Sequence, residues 1–557
     1  MKEKITETII STCQDLFGVE PVVMLERPEE QFGDFSTNVA MQLAKPMQKN
    51  PRDIAQELTQ ELQKNGLFDS VGVAGPGFIN ITLTDTALIQ MLNKKGVKQL
   101  KDLTVLVEYS DPNPFKPLHA GHLYTTIIGD VIARLVERAG AKTIRLNYGG
   151  DVGLHVAKSM WAIIKHLGGE YPEKLQDIPE AERASWLGTR YVEGNQAYED
   201  EPADKAEIIF TNKKVYTLHA ENDRDSAFAH IYWTCREWSY TYFAQLYAQL
   251  QTHKFDRYIP ESEVIELGVK TVTQQLEKGV FKQSDGAVVF DGEAHGLHTR
   301  VFINSEGLPT YETKDVGLSL TKWQEYKFDE SIIITANEQA QYMHVILKAI
   351  EQFMPEPARR TKHVTHGFVK LAGGVKMSSR KGNTVTAIDI LDAAKQAAEE
   401  SDTTKDPEVV LAAVKYAFLK TRIGGDIIYV PEESIAMEGN SGPYLQYAHA
   451  RAKSILRKSV NKVESTETIA ELEMGERSLV RKMAEFNDAV YKATEEIAPH
   501  HICTYLYELS QNFNRFYEKN KVIGDVREAT RLALVASYAD VLATGLDLLG
   551  INAPESM

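Results

Sequence analysis

The sequence predicts an α/β protein in three parts: a parallel-sheet core, a small α+β region before it and an all-α bundle after it. A strand, a loop, a helix and a second strand follow one another between residues 105 and 147. This βαβ order implies a parallel sheet, because parallel neighbours need a long crossover that is usually a helix. Helical patterns also cover about 161–252 and almost everything after 386.

The first βαβ unit begins with an apolar run at 105–107, which has the composition of a buried strand. The loop after it contains Pro112, Pro114 and Pro117. These prolines exclude a helix there, whereas residues 123–136 have the apolar spacing of one. Gly140 is typical of a helix end, and residues 142–147 form the second predicted strand.

Two histidines, His119 and His122, stand at the start of this predicted helix with Gly121 between them. They are three residues apart and therefore share one helical face. Helix starts bind phosphate through free N–H groups, and parallel sheets bind ligands at the carboxyl ends of their strands. An imidazole there can donate to a phosphoryl oxygen as charge builds, and a glycine lets a ligand approach closely. The alternative is a proline-rich loop whose histidines only cap the helix.

Later stretches repeat the strand-to-loop geometry. Residues 147–155 are a Gly-rich turn after the second strand, and a strand at 300–303 leads through a Gly-Leu-Pro turn to Tyr311 and Asp315. These two residues are four apart and share one face if a helix starts there. A strand at 331–335 is followed by another helical pattern. Several strand ends can thus contribute to one site.

The segment at about 161–252 interrupts this pattern. It is polar and helical, and we interpret it as an insertion between the two halves of the sheet. Aromatic residues recur at helical spacing between 232 and 247. Such a stripe is more typical of core packing than of a stacking surface for bases.

Composition limits the protein class. The chain has 557 residues, which predicts three or four domains, and no apolar run is long enough for a transmembrane helix. Its first residues do not resemble a targeting peptide, and its three cysteines are far apart, so we expect a cytoplasmic protein without membrane partners. The net charge of −16 argues against nucleic-acid binding, except through local basic patches such as 45–52 and 451–458.

Four strings together resemble the class I aminoacyl-tRNA synthetases, and in particular the arginyl-tRNA synthetase family. SDPNPFKPLHAGHL, with TTIIGD after it, resembles the "HIGH" signature. KMSSRKG, which starts at Lys376, resembles the "KMSKS" loop. NYGGDVG matches a family pattern through Asn147, Gly150, Asp151 and Gly153, and GNSGPYLQYAHARAKSI resembles the junction with the anticodon-binding domain.

The resemblance implies three domains. Residues 1–103 would be an additional N-terminal domain that touches the tRNA elbow. Residues 104–385 would be a Rossmann-like catalytic domain containing the insertion, and residues 386–557 would be a helical anticodon-binding domain of the "DALR" type.

The resemblance also assigns roles to individual residues. Catalytic contacts to the phosphates are expected from Lys116, His119, His122 and Lys376. ATP is expected to contact Pro117, His119, Gly121, His122, His366, Gly367, Met377, Ser378 and Lys381. Arginine is expected to contact Glu108, Asn113, Tyr311, Asp315 and Gln339. Contacts to tRNA are expected from Phe78, Asn80, Gln446, Tyr447 and Arg451.

The chemistry of arginine explains the acidic residues in this set. A guanidinium is planar and permanently charged, so its site needs carboxylates in a matching plane. Glu108 and Asp315 would hold it, and Tyr311 would pack on its plane or form a hydrogen bond with it. Asn113 and Gln339 would contact the α-amino and carboxylate end. The alternative for either carboxylate is an internal ion pair with the protein's own lysine or arginine.

The implied reaction has two steps. The carboxylate of arginine attacks the α-phosphate of ATP, and the 2′-hydroxyl of the terminal tRNA adenosine then attacks the arginyl-adenylate. The expected partners are L-arginine, ATP with Mg²⁺, and tRNA(Arg), without a dedicated protein metal site. We expect a monomer, and family members usually require bound tRNA before they activate arginine.

Four positions depart from the family pattern: Tyr124, Tyr148, His155 and Ser379. Ser379 replaces the second lysine of the KMSKS-type loop, so the sequence does not identify the main cation there. Two other interpretations stay open. A different class I synthetase or nucleotidyltransferase would lack the paired carboxylates, and a non-catalytic RNA-binding relative would be expected to have lost the histidines or the loop lysines.

Overall fold

The structure is a computed structural model that describes residues 1–372, 385–402, 404, 406–461 and 463–557. Its N-terminal part is an α+β unit with an antiparallel sheet in the order β1-β3-β2. The elements are α1 (Lys2–Phe17), β1 (Phe35–Thr37), α2 (Val39–Met47), α3 (Pro51–Leu62), β2 (Phe68–Ala74), β3 (Phe78–Leu83) and α4 (Asp85–Asn93).

Helix α3 shows how local sequence starts these elements. The Asn50 side chain accepts a hydrogen bond from the Arg52 N–H, and Pro51 occupies the first helical position. Ile54 and Leu58 then lie on one face and are fully buried. This apolar face, rather than helix propensity alone, attaches α3 to the N-terminal core.

The central part contains a five-stranded parallel sheet in the order β11-β10-β4-β5-β6. Its elements up to β6 are β4 (Thr104–Glu108), α5 (Ala120–Arg138), β5 (Lys142–Gly149), α6 (Leu154–Leu167), α7 (Arg183–Asp200), α8 (Pro202–Ala220), α9 (Ala227–Gln249) and β6 (Arg257–Pro260). β5 follows β4 on one side, and β10 pairs with β4 on the other. The carboxyl ends of β4 and β10 therefore form a topological switch point, where such sheets bind ligands.

The helical insertion is confirmed, but its predicted place in the sheet is wrong. Helices α6–α9 lie between β5 and β6, which are adjacent parallel strands of one half of the sheet. The two halves are instead joined by two helices and a separate antiparallel sheet. These elements are α10 (Glu261–Glu277), β7 (Lys282–Ser284), β8 (Ala287–Phe290), β9 (Arg300–Ile303) and α11 (Tyr311–Tyr326).

The second half of the sheet follows α11. Its elements are β10 (Glu330–Ala336), α12 (Ala340–Glu351), α13 (Pro355–Arg359), β11 (Thr361–His366) and β12 (Val369–Leu371). β12 pairs in parallel with a strand at Ile427–Tyr429. The boundary predicted at 385 therefore falls between two paired strands.

The C-terminal part is a helix bundle apart from that one strand. Its elements are α14 (Ala387–Glu400), α15 (Pro407–Leu419), β13 (Ile427–Tyr429), α16 (Pro431–Ser434), α17 (Gly442–Lys458), α18 (Met474–Met483), α19 (Phe486–Glu495), α20 (His500–Lys519) and α21 (Glu528–Leu548). Buried leucines and aromatics form its core; Phe513 and Tyr538, for example, stack at 3.8 Å. None of the helices among the described residues is long and apolar enough to cross a membrane.

Charged pairs join the N-terminal unit to the bundle. Arg477 of α18 contacts the carboxylates of Asp34 (2.6 Å) and Asp85 (2.5 Å). Arg481, one turn later, lies 3.5 Å from Asp34 and donates to the Pro28 carbonyl at 2.6 Å. Two successive turns of α18 thus hold the N-terminal unit, the first through hydrogen-bonded ion pairs and the second through an ion pair and a hydrogen bond to a backbone carbonyl.

Candidate active site

The two predicted histidines cap helix α5 and each other. The Nδ1 of His119 accepts from the His122 N–H, and the Nδ1 of His122 accepts from the His119 N–H, both at 3.3 Å. Because each Nδ1 accepts, each neutral ring carries its proton on Nε2. Burial lowers the pKa of His119 to about 4 and that of His122 well below its ordinary value. Near pH 7 the site therefore presents two neutral Nε2–H donors.

Gly121, between the two histidines, makes room for the ring of His119. A Cβ at Gly121 would lie 2.9 Å from the His119 ring, so a side chain would displace that ring. The rings stack with centroids 3.8 Å apart. The glycine predicted to leave room for a ligand therefore also makes room for the His119 ring.

His366 is placed differently from the prediction. It was predicted to contact ATP, but its side chain is 1% exposed. Its Nε2 lies 2.7 Å from the Thr125 hydroxyl, which in turn donates to the Gly121 carbonyl at 2.9 Å. The His366 ring therefore supports the first turn of α5 and has no surface for ATP. Gly367 next to it is required, because a Cβ would meet the Gly425 carbonyl oxygen.

Glu108 has an internal partner. Its Oε2 lies 2.7 Å from the Nζ of Lys322 on α11, and both side chains are buried. The alternative of an internal ion pair thus holds for this oxygen, and the contact of Glu108 with arginine stays a prediction. Only Oε1 has no partner among the described residues and can contact a ligand.

Asp315 shows the opposite situation. Its Oδ2 accepts a hydrogen bond from the Tyr342 hydroxyl at 2.5 Å, but no lysine or arginine in the described part of the chain forms an ion pair with it. Burial raises the pKa of Asp315 to about 7, and the negative charges of Glu108 and Glu261 add to this. The pocket therefore contains one carboxylate that a cation would stabilise.

Tyr311 lies one turn before Asp315 on the same helix. It begins α11, it is half-exposed, and its hydroxyl lies 3.4 Å from the Nδ1 of His155. Lys314 lies 4.3 Å from the centre of its ring and forms a buried ion pair with Glu261. His155 also contacts the Gly150 carbonyl through Nε2 at 2.7 Å. His155, one of the four departures from the family pattern, thus joins the Gly-rich turn to Tyr311.

The loop between β4 and α5 has an unusual backbone. Ser110, Asp111 and Phe115 have φ values of 75°, 47° and 69°. Non-glycine residues rarely adopt this region, and a bulky one there is an outlier that costs about 1–3 kcal/mol. Asn113 lies between them, and its Oδ1 accepts from the Gly150 N–H at 3.0 Å. Its amide nitrogen is the group that remains for a substrate contact.

The other predicted contacts surround the same strand ends. Lys116 is half-buried, and burial lowers its pKa. A Cβ at Gly188 of α7 would lie 3.3 Å from Pro117, so the insertion lies directly against this loop. Gln339 is exposed. It directly precedes α12 and follows the carboxyl end of β10.

The predicted cationic loop cannot be described in full. Lys376, Met377, Ser378, Ser379 and Lys381 lie outside the described residues. The described chain resumes at Val385, whose carbonyl accepts from the Ala120 N–H at 2.8 Å. The end of this loop therefore meets the start of α5.

Two predicted tRNA contacts lie in the N-terminal sheet. Phe78 and Asn80 are two residues apart on β3 and thus face the same side. Phe78 is 37% exposed, and the Asn80 Oδ1 accepts from the Ser36 hydroxyl at 2.9 Å.

The predicted contacts on α17 separate into two kinds. Tyr447 is exposed, and the Arg451 guanidinium lies 4.7 Å from the centre of the Tyr517 ring. Gln446 is 1% exposed, and its amide donates to the Asn552 carbonyl at 2.9 Å. The Gln446 side chain thus holds the C-terminal segment, and its contact with tRNA stays a prediction.

Sequence reasoning missed Asp111, Lys322 and Tyr342 as members of the site. Burial, and then the charge of Glu108, raises the pKa of Asp111 well above its ordinary value. Lys322 is seven residues after Asp315, so helical spacing was a usable signal for it. Asp111 lies within the quoted SDPNP string, whereas nothing local marks Tyr342.

Three models of known protein families match this chain in order and together cover it except for residues 433–444. The model described as the arginyl tRNA synthetase N terminal domain matches 1–83. The model described as tRNA synthetases class I (R), catalytic domain, matches 84–432. The DALR anticodon binding domain matches 445–557.

Individual relatives agree with these matches. The chain is 29% identical to an arginine–tRNA ligase of Bacteroides thetaiotaomicron and 32% identical to one of Lactobacillus delbrueckii subsp. bulgaricus, and each match covers 100% of both chains. The arginyl-tRNA synthetase of Thermus thermophilus has a similar structure, with a TM-score of 0.78, 27% identity and complete coverage of both chains. That of Plasmodium falciparum, at 22% identity and a TM-score of 0.80, shares the fold.

Proposed function

The chain belongs to the arginyl-tRNA synthetase family, and we propose that it is an arginine–tRNA ligase that works through the site described above. In the first step a carboxylate oxygen of arginine attacks the α-phosphorus of ATP. The bond from that phosphorus to the bridging oxygen breaks, and pyrophosphate leaves. In the second step the 2′-hydroxyl of the terminal tRNA adenosine attacks the arginyl carbonyl carbon, and AMP leaves.

The observation that carries the choice of arginine is the unpaired carboxyl of Asp315. A half-buried carboxylate without a cation is unfavourable, and a guanidinium would pair with it while its other donors reach the Oε1 of Glu108. Tyr311 lies one turn before Asp315, where it can contact the flat side of that group. A neutral amino acid of similar shape would leave the carboxylate unpaired, which explains how the site rejects it.

The histidines serve the phosphate end. Their Nε2–H donors point from the start of α5, where the free N–H groups also favour an anion. They can donate to the non-bridging oxygens of the α-phosphate as negative charge builds, without a proton transfer. Lys116 supplies a nearby positive charge, and Lys376 would supply another from the loop that ends at Val385. Positioning and charge stabilisation then account for the catalysis.

ATP would enter as its Mg²⁺ complex. No cluster of three or more potential metal ligands occurs among the residues that the structure describes. Mg²⁺ is commonly bound through substrate phosphates and waters, so we assign the ion to the substrate and not to a protein cage.

The tRNA would contact all three parts of the chain. Phe78 offers an exposed ring beside the Asn80 amide, a pair that suits stacking on a base and reading its edge. Tyr447 and Arg451 would serve the anticodon side. We further propose that the protein acts as a monomer in the cytoplasm; its three cysteines are buried and unpaired, which suits a reducing compartment.

The test is ATP–pyrophosphate exchange with each of the twenty amino acids, with and without tRNA. We expect exchange only with arginine and a large loss in Asp315→Ala. Asp200→Ala, which removes an exposed carboxylate at the end of α7, is the matched control. Exchange with another amino acid would overturn the choice of arginine. Absence of exchange under every condition, with tRNA still bound, would overturn the assignment as an enzyme.

A further inference from the structure

One face of α9, the last helix of the insertion, contacts the loop between β4 and α5. The Ser239 hydroxyl accepts from the Phe115 N–H at 2.9 Å. The Tyr247 hydroxyl lies 2.8 Å from the hydroxyl of Ser110. Ser239 and Tyr247 are buried and eight residues apart, so they lie two turns apart on the same side of the helix.

Both contacts fall on residues with left-handed backbone conformations, Ser110 and Phe115. Such conformations persist only when the surroundings hold them. Phe115 is the more demanding of the two, because it is bulky and fully buried. Hydrogen bonds to its own backbone and side-chain packing are the means available to hold it.

Helices α5 and α6, and a ring of α9 itself, also contact the same two residues. The Ser159 hydroxyl of α6 donates to the Phe115 carbonyl at 3.3 Å, so both backbone polar groups of Phe115 have a serine partner from the insertion. The Thr126 hydroxyl of α5 donates to the Ser110 hydroxyl at 2.8 Å. The Phe115 ring packs on the ring of Tyr232, at 5.4 Å.

The held residues enclose the part of the loop that bears substrate groups. Asn113 lies between Ser110 and Phe115, and Lys116 and His119 follow directly. A change of φ at Phe115 rotates the whole chain after it relative to β4, and so moves Lys116 and the start of α5 away from Asn113. The two ends of the loop therefore need separate supports to keep one geometry.

We propose that α9 is a positioning helix, whose Ser239 and Tyr247 hold the β4–α5 loop in its strained form so that the substrate groups on it converge. This inference rests on the proposed function and gives the insertion a part in the first reaction step. Ser239 and Tyr247 touch no reacting atom and act through the loop.

Two substitutions test this with little change of shape. Tyr247→Phe keeps the buried ring and removes the hydroxyl, and Ser239→Ala removes the acceptor for the Phe115 N–H. Tyr505→Phe and Ser510→Ala are matched controls, because the hydrogen bonds of these buried hydroxyls to described residues lie within the C-terminal bundle. Ser239→Thr retains the oxygen and should restore the contact.

Pyrophosphate exchange and thermal unfolding are measured together. We expect kcat for exchange to fall about tenfold to hundredfold in Tyr247→Phe and Ser239→Ala, since misplacement of about 1 Å has effects of this size. The KM for tRNA and the melting temperature should change no more than in the controls, and Ser239→Thr should recover most of the lost kcat. A loss of kcat no larger than that of the controls would overturn the proposal.

Hydrogen exchange separates this inference from the proposed function. In Ser239→Ala the Phe115 amide should lose protection, and the peptide covering 110–117 should exchange faster than in the wild type and in Ser510→Ala. This readout does not depend on catalysis, so it still decides the role of α9 if the wild type activates no amino acid. Unchanged protection of the Phe115 amide would refute the positioning role.

Discussion

Two carboxylates have opposite surroundings at the junction between the N-terminal unit and the bundle, where Asp34 is buried, and at the candidate active site, where Asp315 is half-buried. At the junction Asp34 is contacted by Arg477 at 2.6 Å and by Arg481 at 3.5 Å. In the active site Asp315 receives a hydroxyl from Tyr342 but no positive charge from the described residues.

The bundle follows the pattern of the junction. Glu476 is fully buried and contacts the guanidinium groups of both Arg527 and Arg531. Burial alone would raise its pKa, but the hydrogen bonds from the arginines outweigh this, and the pKa of Glu476 is lowered. At Asp315 burial prevails and the pKa rises to about 7. A carboxylate that is paired with arginine side chains therefore stabilises the fold. A carboxylate that lacks a positively charged partner instead indicates a place for a cationic ligand.

The substitution Asp315→Asn tests this comparison with the largest expected effect. It should lower kcat/KM for arginine about a thousandfold, roughly 4 kcal/mol, because the guanidinium loses its main carboxylate. The free energy of unfolding should not fall, since the variant removes a charge that has no partner. Steady-state exchange and urea unfolding measure the two effects, and a loss of kcat/KM below tenfold would contradict the assignment.

Lys322→Met tests the paired carboxylate of the same pocket. It leaves Glu108 charged and buried, so the free energy of unfolding should fall by about 3–5 kcal/mol. Lys348→Met is the control: Lys348 pairs with Glu351 near the surface, and its loss should cost less than about 1 kcal/mol. Equal effects of the two variants in urea unfolding would argue against the buried pair.

Arg477→Met tests the junction. It removes charge-assisted hydrogen bonds to Asp34 and Asp85, and the remaining contacts of Arg481 limit the loss to about 2 kcal/mol. Proteolysis in the connection between α4 and β4 should become faster, while the affinity for arginine stays within about twofold of the wild type. A large change of arginine affinity would show that the junction and the pocket are not independent.

The smallest predicted effect is a pH dependence. With the pKa of Asp315 at about 7, raising the pH from 6 to 8 should tighten arginine binding up to about tenfold. Below pH 7 binding should release a proton, which calorimetry in buffers of different ionisation enthalpy detects. The contribution of Asp315 to the stability of the free protein should also fall as the pH rises from about 4 to 7, because Asp315 ionises first in the unfolded chain. Asp315→Asn should abolish the pH dependence of arginine binding and remove this contribution.

The sequence alone determined the elements and the chemistry of the site. The strand at 105–107, the proline-rich loop, the helix after His119 and the helical insertion are all local patterns, and local patterns of apolar spacing and turn residues are sufficient to predict them. The spacing of Tyr311 and Asp315 placed both on one helical face for the same reason.

Only the tertiary structure decided which of these groups are free to act. Lys322 reaches Glu108 from 214 positions away, and Gln446 holds a segment that lies 106 positions further on. His366, at the end of β11, is held by Thr125 of α5 from 241 positions away, and the insertion lies between adjacent strands rather than between the halves of the sheet. Pairing across such distances depends on strand order and domain docking, which no local periodicity encodes. The sequence thus predicted the carboxylates, and the fold determined which one lacks a cation.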